Sequence, residues 1–340
     1  MWHKGRPLFR PRIEGLMPRH LFSLASFLML LALVFAGSAA ADPFGDWLSG
    51  LRKQAAAQGI SKPTLDAALN NLQPIPDVLD KDKNQPEFTL TFAQYEAKVV
   101  NDQRVAQGRA LMTQYEAILK KVSTEFGVQP RFIVALWAVE SDYGKYTGGY
   151  SEIGALATLA YDSGRKEFFR KELLDALRII DQGNITAPQM TGSWAGAMGQ
   201  CQFMPSSFRR YAVDFDGDGR RDIWGSQTDV FASIANYLAS LHWRPGETWG
   251  REVRLPEKFD ARLIDLKSEK PLAAWQKLGL RNADGSNLPV ATLSASLVAP
   301  DGPSGSAYLV YGNYKVVMRW NHSTYFATSV GLLADRLAGG

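Results

Sequence analysis

The sequence predicts a mainly α protein of the α+β class, a helical body carrying one small antiparallel β unit. Three observations predict it. From about Trp47 to Trp243 apolar residues recur at three- and four-residue spacings, the period of an amphipathic helix. Beyond Trp249 the text turns to short β-branched and aromatic runs separated by Gly, Pro, Asn and Asp. The tail "HSTYFATSVGLLADRLAGG" then returns to helical spacing. With 46% hydrophobic and 21% charged residues over 340 positions, the chain has the balance of a globular protein with ample core, which excludes a disordered or fibrous class.

In order, the chain opens on a basic stretch with Lys4, Arg6, Arg10, Arg12 and Arg19, an apolar run from Leu21 to Gly37, and small residues from Ser38 to Ala41. That is the order of an export signal, so residues 1–41 are expected to be cleaved off near Ala41. An uncleaved signal that anchors the chain in the inner membrane is the alternative, although the run falls slightly short of the roughly 20 residues a spanning helix needs. Met17 is a second candidate start. The signal holds five Lys/Arg and one Glu, so of 38 basic and 34 acidic residues 33 of each remain. A net charge near zero removes the main support for nucleic-acid binding. The single Cys201 excludes an internal disulfide, and His242 and His322 are too few for a His-based zinc site.

The longest helical piece, "AQYEAKVVNDQRVAQGRALMTQYEAILKKVSTEFG", repeats apolar residues at Val99, Val105, Leu111, Tyr115 and Leu119. Gly127 and Pro130 punctuate its end, and Pro130 suits the first turn of the next helix, which runs toward Gly144. "KEFFRKELLDALRIIDQG" reads as a further helix, followed by a Gly-rich stretch, Gly192 to Gly199, and an acidic loop, Asp214 to Asp222. "TDVFASIANYLASLHW" is helical again, with Thr228 or Asp229 as its cap. "REVRLP", "ATLSASLVAP", "SAYLVYG" and "YKVVMRW" read as strands, with turns at Asp301-Gly302-Pro303 and Gly312-Asn313, and the last two suggest a hairpin.

The apolar run Phe132 to Val139 stops at Glu140. On a helix from Pro130, Glu140 lies on the apolar stripe, in line with Ile133, Leu136 and Trp137. A carboxyl there would be desolvated and protonated near neutral pH, as a general acid must be. Asp142 points elsewhere. For an isolated Glu, emergence to solvent at the helix end or capping of a nearby backbone is the plainer reading. In "TGSWAGAMGQCQFMPSSFRRYAVDF", Gly192, Gly196 and Gly199 permit close backbone approach, Gln200 and Gln202 offer two-faced amides, and Trp194 and Phe203 offer flat apolar faces. Sugars need that mixture, though a tight helix-packing turn would use the same small residues. In "DFDGDGRRDIWG", Asp214, Asp216, Asp218 and Asp222 hold positions 1, 3, 5 and 9 of an EF-hand loop, with Gly219 at position 6 and the Arg220 carbonyl at position 7. Position 12, normally a bidentate carboxylate, is Gly225, so calcium affinity should fall unless water or Asp229 substitutes. An Asp/Gly turn with no ion is the alternative.

Taken together, "ALWAVESDYG", "GALATLAYDSGRKEFF", "GSWAGAMGQCQFMPSSFRRYAVDFDGDGRRDIW", "ANYLASLHW", "YGNYKVVMRWNHSTYFATSVGLLAD" and "QPEF" at Gln85 to Phe88 make the chain resemble the family B lytic murein transglycosylases, in their soluble form. The likeness runs from about Asp46 to Ala334. It implies a lysozyme-like catalytic core over 119–250, an N-terminal α domain over 42–118 with segment 322–340 packed near it, and a small β domain over 251–321. It implies Glu140 as the catalytic acid, Ser193 as a cleft residue, and glycan contacts at Arg165, Gln202, Phe203, Tyr237 and Asn321. Lys166 stands where a second Arg is common, and Trp320 where a Tyr is common. The family pattern also favours an acid at Gly225.

The expected reaction is cleavage of the β-1,4 bond between N-acetylmuramic acid and N-acetylglucosamine without water, leaving 1,6-anhydromuramyl ends. An exported enzyme of this kind would work in the periplasm as a monomer on peptidoglycan strands, with other cell-wall enzymes as candidate partners. It would require no cofactor, and a structural calcium ion is a candidate. A hydrolytic muramidase using another acid such as Asp142, or a non-catalytic wall-binding scaffold, are the competing readings.

Overall fold

A computed structural model describes residues 42–84 and 90–339. The expected export signal and the "QPEF" segment lie outside the described residues. The chain begins with α1 (Pro43–Ala57), α2 (Lys62–Leu69) and α3 (Pro76–Lys83). Ser61 caps α2 by accepting from Thr64 N, with a proline in the first turn. The long periodic piece is three helices, α4 (Phe92–Val99), α5 (Asp102–Gln114) and α6 (Glu116–Phe126). Thr91 and Gln94 close a capping box on α4, and Asn101 starts α5 afresh by accepting from Arg104 N. Gly127, at φ +68°, ends α6, and α7 (Pro130–Ser141) follows with Pro130 in its first turn.

A two-residue ladder of β1 (Tyr150–Ser151) with a later strand, β2 (Thr191–Gly192), brackets a helical hairpin of α8 (Glu152–Asp162) and α9 (Lys166–Asp181). Next come α10 (Pro205–Tyr211) and α11 (Gln227–Ser240). The cap of α11 is Ser226, whose hydroxyl accepts from Asp229 N, so neither Thr228 nor Asp229 is the cap. The helix starts earlier than expected, which places Asp229 in its first turn with the carboxylate turned back toward the acidic loop.

The β unit holds β3 (Gly250–Arg254), β4 (Asp265–Pro271), α12 (Leu272–Lys277), β5 (Arg281–Asn282), β6 (Ser294–Val298) and β7 (Ala307–Val310), antiparallel in the order β4-β6-β7-β3-β5. It has an apolar core of its own, around Val253, Leu272, Trp275, Leu297, Leu309 and Tyr311. The hairpin expected from "SAYLVYG" and "YKVVMRW" does not form. The first is β7, but the second is α13 (Gly312–Trp320), followed by α14 (Thr324–Leu337). Apolar residues at Tyr314, Val316, Val317 and Met318 suit either period in so short a run. Tertiary contact decides: the buried Asn313 accepts from Arg244 N at 2.8 Å and donates to the Arg244 and Glu247 carbonyls at 2.9 Å. Those bonds satisfy the loop before β3 and hold Gly312-Asn313 as a helix start rather than a turn.

Every residue of α7 from Phe132 to Ala138 is buried, because α5, α6, α11 and α14 pack around it. α14 also lies on α4, and Trp249, just before β3, donates its indole N–H to Asp335 at 2.8 Å while its ring covers Gly331. A Cβ at Gly331 would overlap that indole. Gly331→Ala is therefore expected to destabilise the fold by about 1–3 kcal/mol through overpacking, read as a lowered Tm. An unchanged or raised Tm would show that helix propensity outweighs the clash.

Candidate active site

Glu140 sits in the last turn of α7, and the groups beside it lock that turn in place. Trp137 Nε1 donates to Gln200 Oε1 at 2.8 Å, and Ser141 Oγ donates to the Gln200 carbonyl at 2.8 Å. Gln200 in turn donates to the Trp224 carbonyl. The chain then reverses through Asp142 and Tyr143, both at positive φ, which non-glycine residues seldom adopt. Asp142 faces Arg104 at 3.1 Å and Lys145 at 3.2 Å, so it is an ion-pair residue and offers Glu140 no partner.

Glu140 itself is part-buried, and Trp320 donates its indole N–H to Oε1 at 2.6 Å. Burial pushes its carboxyl up to about 8, with the Trp320 bond acting the other way. The ring of Trp320 lies 5.2 Å from Phe203 and 4.5 Å from Tyr237, forming an aromatic wall beside the acid. Phe203 is buried within that wall, and Tyr237 donates to the Arg319 carbonyl at 2.8 Å. Tyr95 of α4, its ring tilted against that of Tyr325, is pushed up by burial and then by the charge of Glu140, which marks it as an electrostatic neighbour of the acid.

A second group of residues is tied to the same turn. Gln202, at φ +47°, donates to the Thr147 and Gly199 carbonyls. Gly148 packs on the Gly192–Ser193 backbone so closely that any side chain there would overlap it. Ser193 Oγ accepts from Ala195 N at 3.2 Å and Ala197 N at 3.0 Å. With its lone pairs engaged, the hydroxyl is left as a donor. Asn321 is exposed just past α13 and accepts from Ser323 N, next to Trp320 in the chain. Arg165 and Lys166 stand at the α8–α9 turn, exposed, with Asp82 and Asp162 as their partners. Gln200, which the sequence offers as a sugar-facing amide, is buried and spent on internal bonds.

In the acidic loop, Asp214 accepts from Gly217 N and Gly219 N, both glycines at positive φ. Oxygens of Asp214, Asp216 and Asp229 all lie within 4.8 Å of one another. Asp218 is turned to Arg220, and Asp222 accepts from Trp224 N and Gly225 N. The three converging carboxylates are a hard-oxygen donor set that could hold a divalent cation, with Asp229 reaching in from α11 where Gly225 cannot.

Residues 43–335 match the family described as Transglycosylase SLT domain. The chain belongs to that family. It is 45% identical to SltB3 from Pseudomonas aeruginosa, solved in complex with NAG-anhNAM-pentapeptide, at a TM-score of 0.86 over 88% of this chain and 80% of that one. It is 31% identical to membrane-bound lytic murein transglycosylase B of Escherichia coli (strain K12), over 82% of this chain and 79% of that protein. The Escherichia coli lytic transglycosylase Slt35 in complex with calcium is 29% identical at a TM-score of 0.73, covering 89% of this chain and 95% of that one. The protein is thus a lytic transglycosylase acting on peptidoglycan, with the mainly helical fold and small antiparallel sheets its sequence predicts. Among the described residues, no helix of the transglycosylase is long and apolar enough to cross a membrane.

Sequence reasoning missed Tyr95 and the bond from Trp320 to Glu140. Tyr95 is one aromatic on a periodic stripe, and nothing local marks it. Trp320 stands where the family commonly has Tyr, but its N–H meets a residue 180 positions away.

Proposed function

We propose that Glu140 is the acid and then the base of a non-hydrolytic cleavage of the β-1,4 bond between N-acetylmuramic acid and N-acetylglucosamine. The observation that carries this reading is a carboxyl at the end of α7 whose neighbour Trp320 donates to it while the nearby Asp142 is paired with Arg104 and Lys145, and burial raises that carboxyl to about 8. Glu140 gives its proton to the leaving oxygen, while the substrate's own N-acetyl carbonyl oxygen attacks the anomeric carbon in place of a second protein carboxylate. The ionised Glu140 then takes the proton of the muramyl C6 hydroxyl, whose oxygen displaces the acetamido group and closes the 1,6-anhydro ring. No water is consumed. Mass spectrometry of digested peptidoglycan should therefore find products lighter by one water than hydrolysis products. Reducing muramic ends would overturn the reading in favour of a hydrolase.

Trp320 tunes the acid. Its N–H stabilises the carboxylate, so Trp320→Phe should raise the Glu140 pKa above about 8. Because the protonated form starts the reaction, the alkaline fall in the pH–rate profile should move to higher pH. An unmoved limb would show that another group sets it.

Around the acid, Ser193 orients the acetamido group through its donor hydroxyl, and Gln202, Phe203, Tyr237 and Asn321 line the glycan. Arg165 and Lys166 contact the strand farther out, and their exposure leaves them available to anionic parts of it. A structural calcium ion is held by Asp214, Asp216 and Asp229, as the calcium complex of Slt35 supports. Of the other loop carboxylates, Asp218 and Asp222 stay outside that set, and the Arg220 carbonyl remains a candidate ligand. The enzyme is exported to the periplasm and acts there on peptidoglycan strands as a monomer; the complexes of SltB3 with muropeptides support the substrate. The division into an N-terminal α domain, a catalytic core and a β domain belongs to the same reading, supported by the separate apolar core of the β unit.

A further inference from the structure

One buried acid has no part in this chemistry. Glu152, the first residue of α8, is fully buried, and neither of its carboxyl oxygens has a hydrogen-bond partner. An ionised carboxylate left so would be very costly, so the group is the neutral acid. Burial pushes it up to about 8, and the charge of Glu172 on α9 acts in the same direction. Glu172 is itself held by Ser206 N and Oγ at 2.8 and 2.7 Å. On α3, Asp77 and Lys81 pair with each other and Asp77 accepts from Tyr150, while β1 and residues 191–197 carry no charge.

The side chain points beneath the turn that presents Ser193. Its Oε2 and the Ala197 carbonyl both occupy the space a Cβ at Gly192 would fill, and Oε1 lies 3.4 Å from the Cβ position of Gly196. The two glycines flanking Ser193-Trp194-Ala195 thus rest on one carboxyl. The Ala197 carbonyl already accepts Ser193 N at 2.8 Å and has a second lone pair. A protonated Oε2, crowding the same Gly192 position as that carbonyl, offers it an O–H donor. We propose that Glu152 is a positioning residue, which supports the Gly192–Ala197 turn from below and so sets the Ser193 hydroxyl in the cleft. This rests on the role proposed for Ser193.

The test uses the whole protein on purified peptidoglycan, counting anhydromuramyl ends. Glu152→Ala should lower kcat by about 10- to 100-fold with little change in KM, as a misplaced cleft group does. Glu152→Gln, of the same shape and neutral at every pH, should restore most of that loss. In a Ser193→Ala background Glu152→Ala should cost no more than about twofold further, since the two act as one unit. An equal loss in both backgrounds would overturn the proposal, as would a Gln variant no better than Ala. Ser193→Ala with full activity would instead remove the role given to Ser193, and the proposal with it. Where the Ala variant does not fold, the Gln variant decides through its Tm. An acid raised from 4.5 to about 8 stabilises below pH 4.5 and loses that contribution as pH climbs through about 8. The Tm advantage of Glu152→Gln should widen across that window, and a constant gap would overturn the proposal.

Discussion

Glu140→Gln is expected to bind glycan strands much as the native enzyme does and to lose turnover by about 10³-fold or more, since in the proposed mechanism one group supplies both proton transfers. The amide keeps the shape and can still accept from Trp320 Nε1, so the aromatic wall of Phe203, Tyr237 and Trp320 has no reason to move. Counting anhydromuramyl ends against sacculus binding checks both halves. Full activity would sink the assignment, whereas lost binding would mean that the carboxyl holds substrate rather than reacts. A stability signature should accompany the loss. Glu140 is raised from 4.5 to about 8, so the folded state gives up stability as pH rises through that interval. The Gln variant has no such cost, and its Tm should overtake that of the native enzyme toward pH 8. That outcome would show activity maintained against stability, as is common for groups kept ready for chemistry.

The second large effect falls on the acidic loop. Asp229 is fully buried and accepts from Phe215 N and Asp222 N, each at 2.8 Å, so one side chain closes both ends of the loop onto α11. Asp229→Ala strands two backbone donors, and at about 1–3 kcal/mol each the fold should lose several kcal/mol and several degrees of Tm. An unchanged Tm would mean that water replaces the carboxylate freely. The same variant tests the ion. If Asp214, Asp216 and Asp229 hold calcium, the native Tm rises with calcium concentration, by about 2.7 kcal/mol of added stability at a hundredfold excess over Kd. That rise should vanish in Asp229→Ala. A native Tm indifferent to calcium would remove the ion from the reading and leave Asp229 as a loop clasp.

Much of the fold was legible because local patterns report it. The period of "FIVALWAV" and Pro130 before it mark α7 and place Glu140 on its buried stripe, and β3, β6 and β7 follow the β-rich runs. Two local readings failed for a shared reason. "YKVVMRW" suits helix and strand alike until Asn313 bonds the loop at Arg244 and Glu247, and the cap of α11 moves to Ser226 because Asp229 is needed by the loop. In each case a polar side chain chose a distant backbone partner over its local role.

The sequence by itself determined the helical body, the β unit and the family, and it singled out Glu140 as the candidate acid, since each rests on periodicity or on motifs read along the chain. The tertiary structure alone decided what the acid can do. Trp320 reaches Glu140 across 180 positions, Asp142 is drawn off to Arg104, and Asp229 brings a third carboxylate to Asp214 and Asp216. A carboxyl raised to about 8 and a cluster of three carboxylates are properties of burial and convergence, and neither exists until separate segments meet around the same atoms.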